Sequence, residues 1–201
     1  MYVNDVHKLA FLHIPRTGGT TIKTMIGGFR RVTVDHHPCL RDVKDIEHYA
    51  DYKLFSVVRN PYSRLASAYH RAFTKIMKVP RDDRRKVGER LVVSCLVYTK
   101  HLLANGVFLS QTNYLSYDTL RPEFFRYEDQ SLSELASSLT GEKYDEIKTS
   151  DYGEYKRSDW LDSGSVSILS DYCSGDFELF GYVKHTFEEL LLNNGQPDQK
   201  V

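Results

Sequence analysis

Three short stretches hold the residues best suited to chemistry. The first, FLHIPRTGGTTI (11–22), runs from an apolar segment through Pro15 and Arg16 into paired glycines and threonines. A strand that ends in a tight turn before a helix leaves backbone N–H groups unpaired at the helix start. The helix dipole favours an anion there. Gly18 and Gly19 let the backbone approach such an anion closely. Thr17 lies within the turn, Thr20 and Thr21 add hydroxyl donors, and Arg16 supplies charge. The ATP-binding pattern GxxxxGK[ST] is not met. With Gly19 as its second glycine, the first falls on Ile14 and the lysine on Thr20. No apolar strand ending in an aspartate offers a magnesium partner. The turn reads as a phosphate loop whose cation stands upstream of the glycines; the plainer reading is a glycine turn before an ordinary helix start.

The second stretch is FSVVRNPYSRLASAYH (55–70). Arg59 follows an apolar run, at the same sheet edge as Arg16, and Ser67 falls about two helical turns further on. A guanidinium fork suits a terminal phosphate, and a serine hydroxyl can complete its shell. The plainer roles are a surface salt bridge for Arg59 and a small packing residue for Ser67. Arg64 divides between a phosphate contact and a solvated helix face. The third stretch, TVDHHPCL, places His36 and His37 after a predicted strand. Histidine titrates near neutrality and is well suited to accept a hydroxyl proton. Asp35 could orient either ring, and an exposed turn is the plainer reading. His13, beside the loop, is expected to support its geometry.

Together these stretches resemble the PAPS-dependent sulfotransferases, in particular the carbohydrate and heparan-sulfate 2-O type. FLHIPRTGGTTI is similar to that family's loop for the 5′-phosphosulfate, and VVRNPYSRLASAY to its 3′-phosphate motif. FLSQTNYLS (108–116), FFRYEDQ (124–130) and DFELFGY (176–182) resemble further family signatures in the expected order. The resemblance implies transfer of a sulfuryl group from PAPS to an acceptor hydroxyl, leaving 3′,5′-ADP, with no metal. It implies Arg16, Thr17, Gly18, Gly19, Thr20, Thr21, Arg59 and Ser67 as cofactor contacts. It also implies Tyr127 against the adenine, although a buried core tyrosine fits that position nearly as well. Lys156 and Arg157, in the late loop EYKRSDW, would close over the 3′-phosphate. For the base His37 aligns best, with His36 as runner-up. Arg16 stands where the family usually has lysine; an arginine cannot give up its proton near neutral pH, so its role becomes electrostatic. The acceptor is expected to be a carbohydrate or another small alcohol, with a lipid head group also open. The competing readings are a P-loop kinase of small molecules and a non-catalytic PAP- or PAPS-binding protein.

The elements that must position these residues follow from pattern. Strands are predicted at 8–14, 30–35, 53–58 and 123–128. Helices are predicted after the glycine turn, over 40–52, from Pro61 behind an Asn60 cap, over 82–105, after a Ser131/Glu134 capping box, and at 165–173 and 186–194. This order predicts an α/β, P-loop-like three-layer fold with a central, mainly parallel sheet flanked by helices. The 201 residues suit a single sulfotransferase domain over 1–201. Lys+Arg and Asp+Glu are both 27, so bulk charge argues for neither a nucleic-acid nor a membrane partner. Three scattered cysteines read as reduced thiols. With no leader-like start and no apolar run of about 20 residues, a cytoplasmic location is expected.

Overall fold

The computed structural model describes residues 1–76, 95–104, 108–116, 121–146 and 161–192. Contacts divide the chain into two compact units: residues 1–59 with 111–148, and residues 60–110 with 149–201.

The first unit is built on a five-stranded sheet. Its strands are β1 (Tyr2–Asn4), β2 (Leu9–Phe11), β3 (Arg30–Arg31), β4 (Lys53–Val58) and β5 (Glu123–Arg126), in the order β3-β1-β2-β4-β5. β2, β4 and β5 pair in parallel, whereas β1 pairs antiparallel with both β2 and β3. The sheet is therefore mixed, which corrects the expected mainly parallel one. The reason is local. A tight turn at residues 5–8, with Lys8 at φ 51, joins β1 to β2, and so short a link permits only antiparallel pairing.

Two further expectations change for equally local reasons. The strand expected over 30–35 stops at Arg31, with one more backbone bond from Val32 N–H to Met1 O. Beyond it the Thr33 hydroxyl donates to Asp35 O at 2.7 Å, a side-chain bond that competes with the sheet ladder. The helix expected over 40–52 is two 3₁₀ turns, Leu40–Asp42 and Ile46–Tyr49, separated by Asp45 at φ 53. Leu40, Val43 and Ile46 are all buried, and their spacing of three is the 3₁₀ period, not the α period.

Three helices complete the unit: α1 (Gly19–Ile26), α4 (Gln111–Leu115) and α5 (Leu132–Thr140). Gly27 at φ 67 ends α1, and the predicted Ser131/Glu134 capping box opens α5. α1 packs on α5, and the core joins Leu9, Phe11, Ile22, Phe55, Leu132 and Leu135. Phe11 and Phe55 stack at 4.8 Å across β2 and β4. Each such side chain contributes about 1.5–3 kcal/mol on burial, which holds β2 and β4 in register and fixes where both strands end.

The second unit is helical among the described residues: α2 (Pro61–Ile76), α3 (Cys95–Ala104), α6 (Ser163–Tyr172), α7 (Ser174–Phe180) and α8 (Phe187–Leu192). Asn60 Oδ1 accepts from the N–H groups of Tyr62 and Ser63, the predicted cap. The Tyr62 hydroxyl meets Ser170 Oγ at 2.7 Å and donates to His185 O at 3.1 Å, tying α2 to α6 and to the segment before α8. Of the helix expected over 82–105, residues 95–104 are helical and 82–94 lie outside the described residues.

Candidate active site

The glycine loop, the histidine pair, Arg59 and Tyr127 all belong to the first unit. β2 hands over to the loop after Leu12, whose N–H donates to Phe55 O at 2.9 Å. The Thr17 hydroxyl, fully buried, donates to Ile14 O at 2.9 Å and pins the turn shut. Its proton is thereby committed to the loop. Arg16 takes φ 70, a left-handed conformation that costs about 1–2 kcal/mol in a residue with a side chain. Strain of this kind collects at functional sites. No side chain caps Gly18, and the first turn of α1 carries no acidic residue. The positive end of that helix is left for an external anion. Thr20 is exposed there and Thr21 half-buried.

The two glycines are needed for different reasons. Gly18 lies at φ 88, and a Cβ on it would come within 2.9 Å of both Leu132 and Tyr127. Gly19 has no such backbone requirement; a Cβ there would fall 2.1 Å from His13 Cδ2. The loop therefore rests directly on the His13 ring.

His13 also governs the histidine pair. Its carbonyl lies 2.8 Å from His37 Nδ1. A carbonyl can only accept, so Nδ1 carries the proton and the neutral ring presents Nε2 as a lone pair. The two rings meet edge to face at 4.5 Å. His37 is exposed as a residue, but partial desolvation of its ring lowers its pKa, the bond to the His13 carbonyl opposes this, and the nearby His36 and Lys23 charges lower it further. His13 is 6% exposed, and burial, reinforced by His37 and Lys23, pushes its pKa down to about 3. It is thus a neutral ring packed on Phe11, and its Nδ1 has no hydrogen-bond partner among the described residues. His36 is exposed, with Nδ1 2.9 Å from the Tyr2 hydroxyl.

Arg59 stands one residue beyond β4. Its Nη1 donates to Arg16 O at 3.4 Å, and its guanidinium lies 4.6 Å from the centroid of the Tyr127 ring. Its Nε is buried with no hydrogen-bond partner among the described residues. An unsatisfied buried donor costs about 1–3 kcal/mol, so the site accommodates an anionic acceptor well. Tyr127 is fixed by its own N–H, which donates to Val58 O at 2.8 Å. Its half-buried ring touches both Arg59 and the Gly18 side of the loop.

Ser67 is buried in α2 of the second unit. Arg64, in the same helix, is 1% exposed; its Nη1 donates to Leu109 O at 2.8 Å and its guanidinium lies 4.1 Å from the Phe108 ring. It is on neither a solvated face nor a bare one. Lys156 and Arg157 lie outside the described residues. Among the described residues no group of three His, Cys, Asp or Glu is placed to hold a metal, and no helix is long and apolar enough to cross a membrane. Two contributors carry no sequence signal of their own role: Tyr2, which reaches His36, and Gln111, which binds the backbone of Arg59. Gln111 does lie inside FLSQTNYLS, but nothing in that string names its partner.

These features sit on a mixed α/β sheet flanked by helices, with the chemistry gathered where β2 and β4 end. A family model described as the sulfotransferase family matches residues 1–101 of the 201. The chain belongs to the sulfotransferase family. Membership supports sulfuryl transfer as its reaction class. The matched span holds the glycine loop, both histidines, Arg59 and Ser67, and ends before Gln111 and Tyr127. No curated protein and no solved structure matches the chain.

Proposed function

We propose that this protein is a metal-independent O-sulfotransferase that uses PAPS and acts on a carbohydrate or another small alcohol in the cytoplasm. Residues 1–201 would form a single sulfotransferase domain of P-loop-like, three-layer type. The interleaving of the two units along the chain favours that reading.

Bound PAPS would supply an activated sulfuryl group and leave as 3′,5′-ADP. The chain's own residues divide the remaining work. The backbone from Thr17 to Thr21, at the uncapped start of α1, cradles the 5′-phosphate end, with Thr20 and Thr21 as hydroxyl donors. Arg16 places a fixed positive charge where the leaving oxygen becomes negative, and as an arginine it gives no proton. Arg59 grips the 3′-phosphate through its fork, with Ser67 assigned to the same phosphate from its spacing and Lys156 and Arg157 from the late loop. Tyr127 backs Arg59 and offers a face to the base. His37 takes the acceptor's proton at Nε2, with His36 as the alternative base.

The observation that carries this reading is His13. One residue supports the glycine turn with its ring and fixes the His37 tautomer with its carbonyl. A proton acceptor is thereby tied to an anion-binding loop. The test is a calorimetric titration. A second phosphate site predicts that 3′,5′-ADP binds more tightly than 5′-AMP by about 10- to 100-fold, the yield of one charge-assisted arginine fork. Equal affinities would sink the proposal, and magnesium-dependent ATP consumption would favour a kinase.

A further inference from the structure

Gln111 is the residue that the reaction leaves unexplained. It is fully buried, and its side chain binds both polar groups of one residue's backbone: Arg59 N–H donates to Gln111 Oε1 at 2.8 Å, and Gln111 Nε2 donates to Arg59 O at 2.7 Å. The sheet explains why that backbone needs a partner. In a parallel sheet successive residues present N–H and C=O to alternate neighbours. On β4, Phe55 O accepts from Leu12 on the β2 side, and Val58 O accepts from Tyr127 on the β5 side. Arg59 therefore faces the β2 side. There β2 has already turned away into the glycine loop, and among the described residues no strand is left to pair with it. A primary amide carries one acceptor and a donor in the same spacing as a peptide group. Gln111 substitutes for the missing strand.

We propose that Gln111 is a positioning residue for nucleotide binding, holding Arg59 in strand geometry one residue past the end of β4 so that its guanidinium meets the 3′-phosphate. The inference rests on the phosphate role given to Arg59 above. Two further features fit. The chain leaves the first unit after Arg59 and returns to it at Gln111, so the clasp joins the two points at which that unit is interrupted in sequence. α4, which Gln111 opens, also packs on the turn Leu40–Asp42 that follows the histidine pair. One short helix thus braces Arg59 and the segment after the proposed base.

The experiment measures affinity for 3′,5′-ADP and 5′-AMP in wild type, Gln111→Met, Arg59→Ala and the double variant, with melting curves for each. Methionine keeps the volume and removes both hydrogen bonds. Gln111→Met is expected to lower 3′,5′-ADP affinity at least tenfold and leave 5′-AMP affinity within twofold. In the Arg59→Ala background the same change is expected to add nothing to the preference. An equal loss for both nucleotides, or an undiminished preference, would overturn the inference. Absence of any preference in wild type would instead refute the phosphate role of Arg59, so the two failures are distinguishable. If Gln111→Met does not fold, Gln111→Glu replaces it. That variant keeps the bond from Arg59 N–H, sets a carboxylate against Arg59 O, and is held to the same two outcomes.

Discussion

Gly19→Ala tests the packing logic of the site with a single methyl group. Helix propensity alone favours the change, because alanine stabilises a helix by up to about 1 kcal/mol over glycine. The structure gives the opposite sign. The new Cβ would lie 2.1 Å from His13 Cδ2 and 2.4 Å from its Nε2, where about 3.5–4.0 Å is the comfortable separation of carbon atoms. The His13 ring is boxed by Phe11 at 5.5 Å, Tyr2 at 6.0 Å and His37 at 4.5 Å between centroids, so it cannot swing aside without moving the others. Overpacking of this kind costs about 1–3 kcal/mol. At about 2–4 °C per kcal/mol for a chain of this size, Tm should fall by about 2–12 °C. Scanning calorimetry reads the shift. The source of the loss is checked by coupling: in a His13→Ala background the obstructing ring is gone, and Gly19→Ala should cost nothing further. A Tm that is unchanged or raised by Gly19→Ala in the wild-type background would refute the reasoning.

Three other outcomes follow from the same geometry. Arg16 holds φ 70, so Arg16→Gly should raise stability by about 1 kcal/mol in chemical denaturation while lowering turnover about 10²–10³-fold; Arg16→Lys should retain most of the turnover. The His37 pKa is lowered from 6.5, chiefly by desolvation of its ring, so kcat/KM, which reports the free enzyme, should hold its plateau from neutral pH down past 6.5 and fall only below that value. His13 contributes stability that is complete above pH 6.5, its unfolded value, and is eroded as the pH falls toward about 3, because below 6.5 the unfolded chain binds a proton that the folded ring refuses. Denaturation midpoints measured between pH 7 and pH 4 should therefore fall less steeply for His13→Phe than for wild type.

Much of this site was legible because its signals are local. The glycine turn, Asn60 with Pro61, and Ser131 with Glu134 each name their own neighbours along the chain, and each forms as read. β4 agrees to the residue, since an apolar run bounded by Lys53 and Arg59 leaves little freedom in its ends. The misreadings have physical causes. Leu40, Val43 and Ile46 repeat every three residues, a 3₁₀ period that a looser helical template accepts as α. β1 carries too little pattern in three residues to be predicted, and its antiparallel pairing makes the sheet mixed where a mainly parallel one is expected. Arg64 divides in sequence between a phosphate contact and a solvated face because its partners at Phe108 and Leu109 lie far along the chain. Gln111 could not be read at all: its partner is a backbone, and backbone partners leave no trace in side-chain identity.

The central claim is that His37 acts as the base for sulfuryl transfer from PAPS while other residues hold the nucleotide. Its most direct test is the rate of transfer of labelled sulfate from PAPS to a panel of carbohydrate and small-alcohol acceptors, in the presence of a chelator, for wild type and His37→Ala. The account predicts transfer by wild type, a loss of about 10²–10⁴-fold in His37→Ala, the usual yield of a general base, and unchanged 3′,5′-ADP affinity. Transfer by His37→Ala at the wild-type rate would contradict it.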